Sequence, residues 1–240
     1  VSAIRERGET NANHGHDSAP SASVRSHEAG TRSSVFRLTL LASRVLLFPF
    51  FRVHTQGLSR VPRTGSFLLL PKHQRWEDVP LLGMTVGRPL YYVAKHELFE
   101  TALSRWFITS LGGIPLNRKR PMESRSSIRT LWALLHRGEG IVIFPEGTYY
   151  REAVGPGRSG LIRMILGRTG LPCIPVGIRY LPGRYPTPVQ INFGNPISPV
   201  HGVDGREFYE RIMREIARLS GLHFPQPGKE RTGEYSQRDL

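Results

Sequence analysis

Ser66-Phe67-Leu68-Leu69-Leu70-Pro71-Lys72-His73-Gln74-Arg75-Trp76-Glu77-Asp78 runs from a short apolar segment into a polar loop that ends on an acid. The first five residues read as a strand, and their unbroken apolar character predicts burial on both faces. Leu90-Tyr91-Tyr92-Val93-Ala94, Ile141-Val142-Ile143-Phe144, Cys173-Ile174-Pro175-Val176-Gly177-Ile178 and Val189-Gln190-Ile191-Asn192-Phe193 are further strand candidates. Helical patterns fall between and after them, at about 79–86, 97–111, 124–137, 158–169 and 204–220. Gly138 and Gly170 are placed to end two of these helices. Asp204 is a candidate N-cap for the last, whose core face is Phe208, Ile212, Ile216 and Leu219. Strands alternating with helices predict a single α/β domain over 55–222, with a mostly parallel or mixed central sheet flanked by helices.

Outside that domain the composition changes. Residues 1–34 are polar and lack the apolar core of a signal peptide, so a disordered arm is expected there. Residues 35–54 hold Leu, Val and Phe, with Arg37 and Arg44 two turns apart on one face. No uncharged run in this segment approaches the ~20 residues a bilayer crossing requires. It reads as an amphipathic helix lying in a membrane interface, or as a helix packed on the domain. Beyond Gly221 the chain turns polar, and 223–240 is expected to form a flexible tail.

The 240 residues carry 33 Lys and Arg against 19 Asp and Glu, a formal charge of +14. A polyanionic partner follows, either nucleic acid or an anionic membrane surface. A nucleic-acid module would interleave aromatic residues with Arg and Lys, whereas the aromatics here fall within apolar runs. Cys173 is the only cysteine, which excludes an intramolecular disulfide and a CxxC metal site. A metal-dependent hydrolase built on His73, Glu77 and Asp78 is a weak alternative, because no HExxH or His-x-His accompanies them in the folded region.

His73 would stand at the carboxyl end of a buried strand, where open α/β sheets bind ligands. If Asp78 opens the next helix, its carboxylate can reach the imidazole Nδ1 and fix the tautomer, making a general base that works near pH 7. Read alone, the same spacing fits a loop histidine beside a helix cap. Phe144-Pro145-Glu146-Gly147-Thr148 closes a second strand. Gly147 permits close backbone approach to a ligand, and Thr148 with nearby N–H groups could hold a phosphate or hydroxyl. The Glu146 carboxylate could accept from a substrate hydroxyl or hold an arginine. Arg118, in Gly112-Gly113-Ile114-Pro115-Leu116-Asn117-Arg118, is a candidate for bidentate phosphate recognition.

In this order, His73-x4-Asp78, Gly113-Ile114-x3-Arg118, Phe144-Pro145-Glu146-Gly147-Thr148 and Ile174-Pro175-Val176 resemble the four blocks of the glycerolipid acyltransferase family, typified by 1-acyl-sn-glycerol-3-phosphate acyltransferase. Val93-Ala94-Lys95-x-Glu97-Leu98 is also similar to the family's pattern, and the resemblance covers about residues 55–200. It implies that His73 deprotonates an acceptor hydroxyl for attack on an acyl thioester, oriented by Asp78. It also implies that Arg118, Glu146, Gly147 and Thr148 bind the acceptor, and that Arg158, in a basic-x-Gly pair, supplies a phosphate contact. Ile174, Pro175 and Val176 would line an acyl pocket or serve as a structural block. The expected co-substrate is acyl-CoA or acyl-carrier protein, with no tightly bound cofactor and no metal. The expected acceptor is a lysophospholipid, lysophosphatidic acid first, with another lysolipid, glycerol 3-phosphate or a glycolipid as alternatives. The expected place is the cytoplasmic face of a membrane, bound peripherally, with no nucleic-acid partner. The chain departs from the pattern at Lys72, Arg75, Tyr149 and Tyr150, where relatives carry small polar residues or Arg. Lys72 and Arg75 are expected to flank His73 as extra cations, disfavouring its protonated form and so keeping the base free, or facing an acidic acceptor or a lipid headgroup.

Overall fold

The structure, a computed structural model, describes residues 37–39, 41–117, 124–181, 183–199 and 205–224. Its strands are β1 (Phe51–Gln56), β2 (Phe67–Pro71), β3 (Leu90–Lys95), β4 (Gly113–Leu116), β5 (Gly140–Val142), β6 (Cys173–Tyr180) and β7 (Thr187–Phe193). They form one seven-stranded sheet in the order β1-β7-β6-β2-β5-β3-β4. β2 to β6 run parallel, while β7 is antiparallel to β6 and carries β1 parallel to itself. The sheet is therefore mixed and mostly parallel, as expected. β2 sits near its centre with every residue buried, which is why its sequence shows no polar alternation.

Helices cover both faces: α1 at 37–39 and 41–47, α2 (Asp78–Val86), α3 (Ala102–Ser110), α4 (Arg125–His136), α5 (Gly160–Leu166) and α6 (Gly205–Ser220). Alternate residues of β2 divide the core. Leu68 and Leu70 join Leu131 and Leu134 of α4, Ile162 and Ile165 of α5, and Ile212 and Ile216 of α6. Phe67 and Leu69 join Leu81 and Leu82 of α2 and Leu47 of α1 on the other side. Each fully buried Leu, Ile or Phe stabilises the fold by about 1.5–3 kcal/mol. α6 approaches β6 so closely that a Cβ on Gly177 would lie 2.2 Å from the Leu219 carbonyl carbon.

Five expectations require correction. The segment 35–54 is not one helix: α1 ends at residue 47 and Phe51–Gln56 joins the sheet edge beside β7. β1 and β4 escape a search for apolar runs because both are edge strands; β1 carries Arg52 and His54, and β4 is four residues long with a proline. The expected helix at 97–111 divides into a 3-10 turn (His96–Phe99) and α3, where the Thr101 hydroxyl accepts from Ser104 N at 3.1 Å. α5 ends at Leu166, ahead of Gly170, whereas Gly138 follows α4 with φ 82° as expected. At the other end, Val154 N donates to His223 O at 2.9 Å, so the fold continues past residue 222. The arm at 1–34, Asp204 and residues 225–240 lie outside the described residues.

Candidate active site

The site begins where β2 is shorter than its neighbour. β2 stops at Pro71 opposite Val176, but β6 continues to Tyr180. The loop after β2 takes over that unpaired edge. Lys72 N donates to Val176 O at 2.9 Å, and the Gln74 side-chain amide donates to Ile178 O at 2.7 Å. Ile174, Pro175 and Val176 thus sit in the strand that supports the loop, and Ile174 and Val176 are fully buried in the core.

α2 starts at Asp78, which turns the chain back on itself. His73 Nδ1 lies 3.1 Å from Asp78 Oδ2. An ionised carboxylate only accepts, so the imidazole donates through Nδ1 and its basic lone pair sits on Nε2. Asp78 Oδ2 also accepts from Gln74 N at 2.6 Å and Arg75 N at 2.8 Å. The Asp78 side chain is 0% exposed and that of His73 13%, so the acid lies behind the base. A loop histidine beside an unrelated helix cap would not show this geometry.

The Phe144–Tyr150 segment closes around the histidine from β5, the other neighbour of β2. Phe144 stacks on the imidazole at 3.8 Å between centroids, and Tyr149 leans on it at 4.4 Å. Tyr150 N donates to His73 O at 3.0 Å. Gly147, with φ 70°, occupies a left-handed conformation that any side chain would strain, and its N–H closes the turn onto Phe144 O at 3.1 Å. Thr148 is exposed at the tip of this turn. Arg158 N donates to Pro145 O at 2.7 Å, which ties the basic-x-Gly pair to the same turn while the Arg158 side chain stays exposed.

Glu146 and Lys72 depart from expectation together. Glu146 does not face an acceptor: its two oxygens accept from Lys72 Nζ at 2.9 and 2.8 Å, from His73 N at 2.9 Å and from Gly155 N at 2.7 Å. Lys72 is not a surface cation beside the ring but is fully buried, donating also to the carbonyls of His73 and Tyr150. Burial pulls the Lys72 ammonium below its ordinary value and pushes the Glu146 carboxyl above its own, and each charge opposes the other's shift. The cation that Glu146 holds is a lysine, drawn from the loop that carries the base. Arg75 instead lies over the Tyr180 ring at 4.7 Å.

Tyr180, which carries no signal in the sequence, completes the site through Asp78, together with Lys72, Phe144 and Tyr149, whose packing and pairing around His73 the sequence did not indicate. Arg118 lies outside the described residues; Asn117, just before it, follows the carboxyl end of β4, which runs parallel to the β2 strand that His73 follows. Among the described residues, no group of three or more His, Cys, Asp or Glu side chains is placed to hold a metal ion. A cavity of about 770 Å³ lies under α1, lined by Leu47, Phe48, Phe51, Val53, Leu81 and Met84 among others. α1 and the following turn expose Leu41, Val45, Leu46 and Phe48, of which Val45 and Phe48 also border this cavity. No helix among the described residues is long and apolar enough to cross a membrane.

The His73–Asp78 pair thus stands at the carboxyl ends of the parallel strands, with Asp78 buried, His73 partly exposed and the Phe144–Tyr150 segment closed around the imidazole. The acyltransferase family profile matches residues 52–179, more than half of the chain, and the chain belongs to that family. It is similar to the chloroplast 1-acyl-sn-glycerol-3-phosphate acyltransferase of Arabidopsis thaliana, 24% identical over 76% of this chain and 53% of the relative. It is also similar to the lyso-ornithine lipid O-acyltransferase of Pseudomonas aeruginosa, 35% identical over 41% of this chain and 36% of the relative. The chain thus spans about half the length, or less, of these curated relatives. Its fold is that of the crystal structure of the 1-acyl-sn-glycerophosphate acyltransferase PlsC from Thermotoga maritima, with a TM-score of 0.57 at 24% identity over 78% of this chain and 80% of that one.

Proposed function

We propose that the protein transfers a fatty acyl group from an acyl thioester, carried by CoA or acyl-carrier protein, to a hydroxyl of a lysophospholipid, with lysophosphatidic acid the first acceptor. The observation that carries this reading is the His73 Nδ1 to Asp78 Oδ2 pair at 3.1 Å. Nε2 takes the proton of the acceptor hydroxyl as its oxygen attacks the thioester carbonyl. The tetrahedral intermediate then collapses, the C–S bond breaks, and the imidazolium returns the proton to the departing thiolate. The products are an ester and a free thiol, and no acyl-enzyme is needed. A positioned base contributes about 10²–10⁴-fold, and holding both substrates contributes more.

Thr148, Gly147, Arg158 and Arg118 are the acceptor contacts in this reading. The exposed apolar side of α1 is its anchor on an anionic, cytoplasmic membrane face, and the cavity beneath α1 is the route for acyl chains. A lyso-ornithine or other lysolipid acceptor is the second reading, favoured by the 35% identity over 98 residues to the Pseudomonas enzyme.

The test is thiol release from radiolabelled acyl-CoA by purified protein, with lysophosphatidic acid, glycerol 3-phosphate, lyso-ornithine lipid and a neutral lysolipid as acceptors. Acceptor-dependent release that vanishes in His73→Ala is expected. Equal release by wild type and variant would sink the assignment.

A further inference from the structure

Pairing with His73 uses one oxygen of Asp78. The other, Oδ1, accepts from the Tyr180 hydroxyl at 2.6 Å. Tyr180 is the last residue of β6, the strand whose Val176 and Ile178 carbonyls already hold Lys72 and Gln74. The loop from Lys72 to Asp78 is therefore fastened to β6 at three alternate residues, 176, 178 and 180. Two of these fastenings end on backbone carbonyls of β6, whereas on the β6 side the third is a side chain.

We propose that Tyr180 is a positioning residue of the acyl-transfer site, whose phenol fixes the plane of the Asp78 carboxylate so that Oδ2 stays aimed at His73 Nδ1. The inference rests on the reading of His73 as the base. A carboxylate turns easily about its last torsion, which has broad minima. Three N–H groups converge on Oδ2 from the loop side, and a short, charge-assisted O–H···O⁻ bond on Oδ1 is what stops rotation. The phenol is itself held. Its ring lies under the Arg75 guanidinium at 4.7 Å and meets Phe51 of β1 edge-on at 6.1 Å. Burial, with the Asp78 charge added to it, pushes the Tyr180 hydroxyl far above its ordinary value, so it remains a donor at any working pH. The other charged groups facing this cluster are Glu77 and Arg75 around the phenol, Lys72 near Asp78, and Glu146 on the His73 amide.

The consequence is a shift in pH dependence that lost packing alone would not produce. Without the phenol hydrogen bond, the carboxylate's negative charge is less dispersed and favours the imidazolium. The acid limb of kcat/KM then moves to higher pH.

Tyr180→Phe keeps the ring, its Arg75 contact and its packing, and removes only the hydroxyl. Loss of a hydrogen bond to a charged group predicts a kcat about ten-fold lower, with KM for acyl-CoA within about two-fold and the acid limb raised by about half a unit or more. Leu131→Ala, which opens a void in the core under α4 away from this loop, is the destabilised control: its Tm falls and its acid limb stays in place. Wild-type kcat and an unmoved limb in Tyr180→Phe, with His73→Ala inactive, overturn the positioning role and leave the pair standing. A Tyr180→Phe loss that simply tracks Tm as in Leu131→Ala, with the limb unmoved, overturns it as well. Full activity in His73→Ala overturns the base assignment, and this proposal with it.

Discussion

Lys72 and Glu146 form an ion pair at 2.8 Å with side chains 0% and 1% exposed. One comes from the end of β2 and the other from the turn after β5, so the pair joins the base-bearing loop to the turn that closes over it. Glu146 also accepts from the His73 amide, which makes it a brace for the base rather than a contact for substrate.

Removing either partner alone leaves a buried charge unmet, so Lys72→Met and Glu146→Gln should each destabilise the fold by about 3–5 kcal/mol. The double variant should lose clearly less than the sum. Urea denaturation of the four proteins in a cycle measures this coupling, and additive losses would show that the pair has no role in holding the loop.

Asp78→Asn leaves a side chain of the same shape but no anion. An amide can donate to Nδ1 and so invert the imidazole tautomer, which predicts a fall in kcat of about 10²–10⁴-fold. A variant within about three-fold of wild type in single-turnover acyl transfer would contradict the orienting role.

Cys173 is fully buried, and burial pushes its thiol from an ordinary 9.0 up to about 12. The folded value exceeds the unfolded one, so the stabilisation linked to this group is complete below pH 9 and is lost as pH rises from 9 towards 12, at about 1.4 kcal/mol per unit. Buried Tyr92, Tyr180 and Tyr209 are also raised and add to the same alkaline loss. Native protein at pH 8 should resist a thiol reagent that labels it fully in denaturant. Tm should fall steadily above pH 9, and less steeply in Cys173→Ala.

Leu41 and Phe48 are 59% and 81% exposed on α1 and the turn after it, while Leu47 is buried against the domain. Placing Asp at the two exposed positions should weaken sedimentation with phosphatidylglycerol vesicles by about ten-fold or more and leave Tm unchanged. If Tm falls and vesicle binding persists, α1 is packing on protein, not on lipid.

Much of the fold was legible because burial writes itself into the chain. Phe67-Leu68-Leu69-Leu70 is apolar without interruption because β2 has helices on both faces, and α6 repeats its apolar residues at helical spacing because one face meets the sheet. Edge strands carry a weaker signal. β1 exposes four polar side chains, Arg52, His54, Thr55 and Gln56, among its six residues, while Phe51 at its start continues the apolar tone of α1, so the two merge in a linear reading.

The sequence by itself determined the α/β class, the central strand, and the spacing that lets His73 and Asp78 meet across one reversal of the chain. Those features depend on neighbours within a few residues, where covalent geometry leaves few options. Only the tertiary structure decided what surrounds the pair. Glu146 finds Lys72 across 74 positions and Tyr180 finds Asp78 across 102, because strands distant in sequence lie side by side in the sheet. A carboxylate or a phenol shows no local sign of which partner it will meet, and burial, which sets both the cost and the strength of those contacts, exists only once the chain has folded.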